Sequence, residues 1–332
     1  MLIPVLDEER HLLAAVERMR AQVFTGDVEL LFIDGGSTDA SPGMLARLAA
    51  EDPRIRVLQN PKRRTPSALN IGLAAARGEY VARMDAHSHY PPTYLAEGVE
   101  RLRRGGAVSV SGPQIAVGDA PFSRRVALAL QTPLGVGGAK FRSSDDAEFE
   151  VDTGFTGVWR RELLQDAGGW DEAWVIDQDC ELAFRLAARD EGGHICVPAM
   201  AAEYIPRNSV KRLARQYWWY GVYKVKTINR HPQAMRPSHV LPPGLALTAL
   251  AAIAPVSLLR RPARAGLALY CAVLGAAAAR AAREAEPADA GSLPLVFATM
   301  HLSYGFGFLD GCRRFGVPAA AVAAVVRRLA AR

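Results

Sequence analysis

Glu79-Tyr80-Val81-Ala82-Arg83-Met84-Asp85-Ala86-His87 is an apolar, strand-like run that ends in Asp-x-His. Alternate side chains of a strand share a face, so Asp85 and His87 are expected to point together from the strand's end. A carboxylate and an imidazole presented that way can hold a divalent cation, and such a cation neutralises a departing diphosphate. The triplet has little specificity alone. Its meaning comes from the elements on either side.

Upstream, Leu2–Leu6 reads as a short apolar strand and Glu8–Gln22 as an amphipathic helix, with Leu12, Leu13, Val16 and Met19 at helical spacing. Val28–Ile33 is a second strand and Ile55–Gln59 a third, with helices over Pro42–Glu51 and Pro66–Ala76. Downstream, Pro92–Arg104 is helical and Ala107–Gly112 a fifth strand. This alternation predicts an α/β domain with a largely parallel sheet covered on both faces. Such sheets bind ligands outside the carboxyl ends of their strands. Pro4–Glu9, Asp34–Asp39 and Asp85–His87 all fall there.

The 332 residues allow one large domain or two modest ones. Ala, Leu and Val crowd the last hundred or so, and Lys and Arg gather between Arg207 and Arg236. The expected organisation is a catalytic segment 1–206, a basic aromatic segment 207–240 and a hydrophobic tail 241–332. Cys180, Cys196, Cys271 and Cys312 are scattered with no Cys-x-x-Cys pair, so neither a zinc module nor a disulfide framework is suggested. A reducing, cytoplasmic setting fits. No signal peptide is visible, and the abrupt start at Met1 suggests that a few residues precede it.

Asp34-Gly35-Gly36-Ser37-Thr38-Asp39 follows the second strand. Its glycines allow a tight turn and close approach of a ligand. It reads either as a βα turn with Ser37 or Asp39 capping the next helix, or as a site where Asp34 accepts hydrogen bonds from a nucleobase.

These motifs, with Pro4-Val5-Leu6-Asp7-Glu8-Glu9, Asn70-x-Gly72, Gly78-Glu79-Tyr80 and Asp177-Gln178-Asp179-Cys180-Glu181-Leu182-x-x-Arg185-Leu186, occur in the order of a known family. Over roughly residues 1–230 the chain resembles inverting, family 2 glycosyltransferases with the GT-A fold, a Rossmann-like, mostly parallel sheet flanked by helices. The nearest branch is bacterial exopolysaccharide synthesis of the succinoglycan-pathway type. The resemblance implies that Pro4, Asp7 and Glu9 border the nucleotide and that Asp34 contacts the base. It implies that Asp85 contacts the ribose or metal and that Arg83 assists the phosphates. His87 stands where most members carry the second Asp of Asp-x-Asp, and Gly35 removes an acidic residue that the family often has. Imidazole is softer than carboxylate and suits Mn²⁺, so the expected cofactor is Mn²⁺ or Mg²⁺.

By the same resemblance Asp179 is the base that takes the acceptor's proton, with Gln178 replacing a usual Glu. The competing reading is that Asp177 and Asp179 cap the helix that follows. Gln216, Trp218 and Trp219 are similar to the family's Gln-x-x-x-Trp acceptor element with altered spacing. They also lie on a helix, Ser209–Arg230, whose Trp, Tyr, Arg and Lys residues suit an anionic membrane surface. Leu241–Leu259, Ala263–Ala282 and Leu293–Leu309 approach bilayer-spanning length. Arg260, Arg261, Arg264, Arg313 and Arg314 oppose three spans and favour two, or a shallow hairpin. His11, His194 and His239 have no partners at ligand spacing and read as surface groups.

The expected partners are a nucleotide sugar, with UDP-sugars first, a lipid-linked saccharide acceptor and the inner membrane, the catalytic part being cytoplasmic. No nucleic-acid module is present in the pattern. Two rival readings are transfer to a polyprenyl phosphate and a non-catalytic nucleotide-sugar-binding scaffold.

Overall fold

The computed structural model describes residues 1–137, 140–142, 147–154, 156–189, 192–281, 289 and 291–330. In chain order its strands are β1 (Leu2–Val5), β2 (Leu30–Asp34), β3 (Ile55–Gln59), β4 (Tyr80–Arg83), β5 (Ser88–His89) and β6 (Ala107–Ser111). There follow β7 (Gln114–Ala116), β8 (Phe149–Val151), β9 (Gly157–Arg160), β10 (Gly193–Cys196) and β11 (Ala202–Tyr204).

Strand β2 is buried at every position. A strand with water on neither face belongs inside a sheet that has helices on both sides. Strands β1 and β3 flank it in parallel, and the main sheet has the order β3-β2-β1-β4-β9-β6-β10-β8. Strand β9 runs antiparallel to both β4 and β6, and β8 antiparallel to β10. The period of two sorts the core. Leu2, Leu31, Ile33 and Val81 face the helix Thr65–Ala75 through Ala68, Leu69 and Leu73. Ile3, Val5, Leu30, Phe32 and Ala82 face helices Leu12–Arg20, Ser41–Glu51 and Tyr94–Arg103. Each large side chain so buried contributes about 1.5–3 kcal/mol. A second, small sheet has the order β5-β11-β7.

Two local expectations change. Strand β4 ends at Arg83, where its partner β9 begins at Gly157, so Asp85 and His87 are not alternate residues of one strand. They sit in a turn closed by the Ser88 N–H donating to the Asp85 carbonyl. The helix expected from Glu8 starts at Leu12; Asp7 and Glu9 bond instead to the loop after β2, and Glu8 to Ser41, the first residue of the helix that follows.

The chain divides into two compact units, 1–115 with 140–204, and 116–139 with 205–332. Residues 116–139, inside the expected segment 1–206, therefore group with the second unit. That unit is helical. Helix Val210–Arg230 packs along Leu293–Phe315, where Gly307 meets the Trp218 carbonyl and Gly221 the Tyr304 carbonyl. A Cβ at either glycine would collide with backbone, so the small residues set the close approach. The apolar run Leu241–Leu259 is not one helix. Helix Leu241–Ala251 stops ahead of Pro255, and a new helix covers Ser257–Ala281. The residue before a proline is pushed out of helical geometry, which accounts for the break. Among the described residues Ser257–Ala281 is the one helix long and apolar enough to cross a membrane. Ala282, expected to close the apolar run Ala263–Ala282, lies outside the described residues.

Candidate active site

The carboxyl ends of β1, β2, β3 and β4 surround one cavity. Pro4, Arg83, Asp85 and His87 line it, as do Glu8 and Gly35. The loop after β3 adds Asn60, Arg63 and Arg64. Sequence reasoning missed Glu8, Arg63 and Arg64. The strand-end rule that selected the other loops would have found the two arginines, since Asn60-Pro61-Lys62-Arg63-Arg64 follows β3 directly.

Asp7 and Glu9 fasten the rim. Asp7 sits at φ +55° and its carboxylate accepts the Thr38 N–H at 2.7 Å. The Glu9 N–H donates to Asp39 at 2.9 Å, and the Glu9 carboxylate accepts the Ala40 N–H at 3.1 Å. Asp34 is buried, with one oxygen accepting the Ser37 N–H at 3.0 Å and the Ser37 hydroxyl at 2.6 Å. The loop Gly35–Asp39 is thus stapled from both sides, and Gly36 at φ +72° provides the left-handed corner.

Arg83 is the centre of the site. It is 5 % exposed, and its Nε and Nη2 donate to the two oxygens of Asp85 at 2.9 and 3.0 Å. Its Nη1 donates to both oxygens of Asp179 at 2.7 Å. The two carboxylates on this guanidinium are driven apart. At Asp85, burial favours the neutral acid but is outweighed by Arg83 and His87, so the carboxyl is held below the usual range. At Asp179 burial prevails over Arg83 and pushes the carboxyl up. Opposed shifts on two neighbouring carboxyl groups are the pattern expected where one group stays ionised and the other can take up a proton.

Asp179 lies in the first turn of helix Gln178–Ala187, and Asp177 makes no side-chain capping bond there. The Trp170 Nε1–H leans on Asp179 at 3.4 Å. Trp170 is itself fixed by Asn70, which donates to its carbonyl and accepts its N–H, both at 2.8 Å. Arg185, paired with buried Glu181, donates to the carbonyls of Ala167 and Gly169 and secures the same turn. The Asn70 and Glu181-x-x-x-Arg185 motifs therefore both serve the placement of Trp170 against Asp179.

His87 Nδ1 lies 2.9 Å from Glu8 Oε1. An imidazole whose Nδ1 is held by a carboxylate presents Nε2 as a metal ligand, the usual support of such a site. The described residues hold no group of three His, Cys, Asp or Glu placed to bind a metal. Asp85 and His87 nevertheless supply an oxygen and a nitrogen to one cavity, a donor set that suits Mn²⁺. His194 is not the surface group expected. It is buried, between the Ser109 hydroxyl at 2.6 Å and the Ala183 carbonyl at 2.8 Å, and burial lowers its pKa. Gln216, Trp218 and Trp219 belong to the second unit. Gln216 donates to the Tyr220 hydroxyl at 2.8 Å, Trp218 is 37 % exposed, and Trp219 lies under the Arg314 guanidinium.

Residues 1–168 match the family described as Glycosyl transferase family 2. The chain is 34 % identical over 260 residues to the succinoglycan biosynthesis protein ExoA of Rhizobium meliloti, covering 77 % of this chain and 76 % of that one. Among solved structures, it is similar to a mannosyltransferase of Pyrobaculum calidifontis in complex with GDP-Man and Mn²⁺. The TM-score is 0.60 at 20 % identity, over 92 % of this chain and 85 % of that one. It is also similar to TarS of S. aureus in complex with UDP, with a TM-score of 0.50 at 14 % identity over 94 % and 90 % of the two chains. The fold is GT-A, as expected.

Proposed function

The chain belongs to glycosyltransferase family 2, and we propose that it transfers one sugar, with inversion, from a nucleotide sugar to a lipid-linked glycan of an exopolysaccharide-type pathway. One observation carries this reading: Asp85 and Asp179 share Arg83 yet are driven to opposite protonation behaviour. A transferase needs a permanently ionised group on the donor side and a proton acceptor beside the incoming hydroxyl.

In this scheme Asp34 and the stapled loop Gly35–Asp39 receive the nucleobase of a UDP-sugar, and Pro4, Asp7 and Glu9 border it. Asp85 and His87 face the diphosphate and would hold a divalent cation, Mn²⁺ or Mg²⁺, which supplies charge neutralisation to the leaving group. Asp179 removes the acceptor hydroxyl's proton as that oxygen bonds to the anomeric carbon. The bond from that carbon to the diphosphate breaks, and its electron pair leaves with the nucleotide. A single displacement turns an α-linked donor into a β-glycoside.

The second unit supports membrane association. Leu258, Leu269 and Val273 are exposed along Ser257–Ala281, and Lys211, Arg212 and Arg215 are exposed on the helix that carries Gln216, Trp218 and Trp219. Apolar and cationic surface of this kind suits an anionic leaflet, where a lipid-linked acceptor resides. The site would then face the cytoplasm.

The test is Asp179→Asn in the full chain. Transfer should fall by about 1,000-fold, within the range of general-base losses, while UDP affinity stays within about threefold. Near wild-type transfer to a glycan acceptor would refute the assignment of the base. Transfer kept only with a polyprenyl phosphate would point to that acceptor class.

A further inference from the structure

We propose that Arg83 is a positioning residue: its guanidinium ties the donor-side carboxylate Asp85 to the acceptor-side base Asp179, and it stays on both when the donor binds instead of moving onto the diphosphate. This rests on the donor and base assignments above and goes beyond them in the role it gives Arg83.

The bond inventory leaves little for a phosphate. A guanidinium has five N–H groups in a rigid planar fork. Nε and one Nη2–H go to Asp85, and Nη1 serves both oxygens of Asp179. The side chain has little freedom to re-aim. Arg83 closes β4, where its backbone registers with Leu2 on one side and Gly157 on the other. It is 5 % exposed and Asp85 7 %, so withdrawing the guanidinium would leave the Asp85 carboxylate in a poorly solvated place without its cation.

The cavity has a better candidate for the phosphates. Arg64 lines the same space from the loop after β3, on the exposed rim. Its neighbour Arg63 holds the opposite wall by donating to the Gly36 carbonyl at 2.7 Å, from a backbone at φ +55°. Phosphate charge can be met there without dismantling the two ion pairs of Arg83. Arg83 then acts at a distance from the reacting atoms. It makes the spacing between the diphosphate end of the donor and the proton acceptor a property of one planar group.

Substitution of the two arginines separates the roles. UDP with Mn²⁺ is titrated calorimetrically into wild type, Arg83→Lys and Arg64→Ala, and transfer kinetics are measured on the same proteins. Lysine keeps the charge at position 83 but cannot bond four carboxylate oxygens in one plane. Arg83→Lys should leave the UDP dissociation constant within about threefold and lower kcat about 100-fold, as for a misplaced catalytic group. Arg64→Ala should weaken UDP about tenfold and leave kcat at saturating donor within about threefold. A UDP affinity that falls in Arg83→Lys as far as kcat/KM does would overturn the proposal, because donor binding would then depend on Arg83 as much as the chemical step does. So would a wild-type kcat in Arg83→Lys, because charge alone would then suffice.

If Arg83→Lys does not fold, a crystal structure of the wild type with UDP and Mn²⁺ decides. Four guanidinium bonds still on Asp85 and Asp179 support the proposal, and a guanidinium turned onto the diphosphate overturns it. A wild-type chain that binds no UDP or GDP removes the donor assignment and this proposal together. UDP binding with failure confined to the Arg83 results removes only the role of Arg83.

Discussion

Asp85 and Asp179 share the guanidinium of Arg83, and burial opposes the charge of both, yet the shifts they end with are opposite. Asp85 leaves the end of β4 with Arg83 against both its oxygens, and the guanidinium holds it below the usual carboxylate range. Asp179 sits in the first turn of a helix beside the indole of Trp170, where burial raises its proton affinity despite Arg83. A shared cation therefore does not assign a role to a carboxylate. The rest of the surroundings does, which is why one group is suited to charge and the other to proton transfer.

The hardest test of that contrast is Asp85→Asn set beside Asp179→Asn. Removing the donor-side charge should lower kcat/KM for the nucleotide sugar about 1,000-fold, roughly 4 kcal/mol of lost charge stabilisation. UDP with Mn²⁺ should bind at least about tenfold more weakly, a loss absent from Asp179→Asn. Titration calorimetry with steady-state kinetics on both variants checks this. Matching profiles would erase the distinction.

Acidification should separate the same two groups without mutation. In the proposed scheme Asp179 acts as a base only when deprotonated, and its pKa is raised, so kcat should begin to fall at a pH above the ordinary aspartate value of about 3.9. Asp85 has the opposite shift, so UDP binding should persist below the pH at which turnover is lost. The stability signs are likewise opposed. Asp179 is protonated more readily folded than unfolded, so its contribution diminishes as pH rises from the unfolded value through the folded one. The contribution of Asp85 is present above the unfolded value and disappears as pH falls through the lowered folded one. Profiles of kcat and of UDP affinity over the same pH range should therefore be displaced, affinity surviving to lower pH.

The donor side of this comparison is largely legible in the amino-acid sequence. Loops after β1, β2 and β4 follow apolar strands, and a parallel sheet gathers such loops at one edge, so Pro4, Asp34 and Asp85 can be grouped from local pattern alone. The Asp179 side resists that reading. Asp179 was identified through the resemblance to a family, while its supports come from bonds that join distant segments, Asn70 to Trp170 and Arg83 to Asp179. Periodicity has no sign for such pairs. Strands β8, β9 and β10 are short and lie in the region with antiparallel pairing, so they do not produce the long apolar runs that reveal β2. His194 misled for the same reason, since only the assembled sheet brings Ser109 and Ala183 to its two ring nitrogens.

A smaller effect should come from Trp170→Phe, which keeps a buried ring and removes the Nε1–H donor. A single long hydrogen bond to a carboxylate is worth about 1 kcal/mol, so kcat should fall about fivefold with UDP affinity unchanged. That bond lowers the pKa of Asp179, hence the acid limb of kcat should move to higher pH in the variant. A variant with weakened UDP binding would place Trp170 on the donor side and blur the division.

The mildest probe, Gly169→Ala, tests whether the turn behind Trp170 matters through geometry alone. Gly169 is held at φ +67°, and a Cβ added there would press on the Asn70 side-chain oxygen. The left-handed backbone costs an alanine about 1–2 kcal/mol. The same side-chain oxygen accepts the Trp170 N–H, so relief of the clash must shift the bond that holds Trp170 against Asp179. Calorimetric melting should show a loss of about 1.5–3 °C, since unfolding 332 residues at about 2.1 cal/mol/K each makes 1 kcal/mol worth about 1.4 °C in Tm. At a temperature where the variant is folded, kcat should drop by no more than about threefold, less than the roughly fivefold loss expected for Trp170→Phe, and UDP should bind as in the wild type. A UDP affinity that moved with the turn would mean that the Asp179 side and the donor side are one rigid unit, with Arg83 as only one of several ties between them.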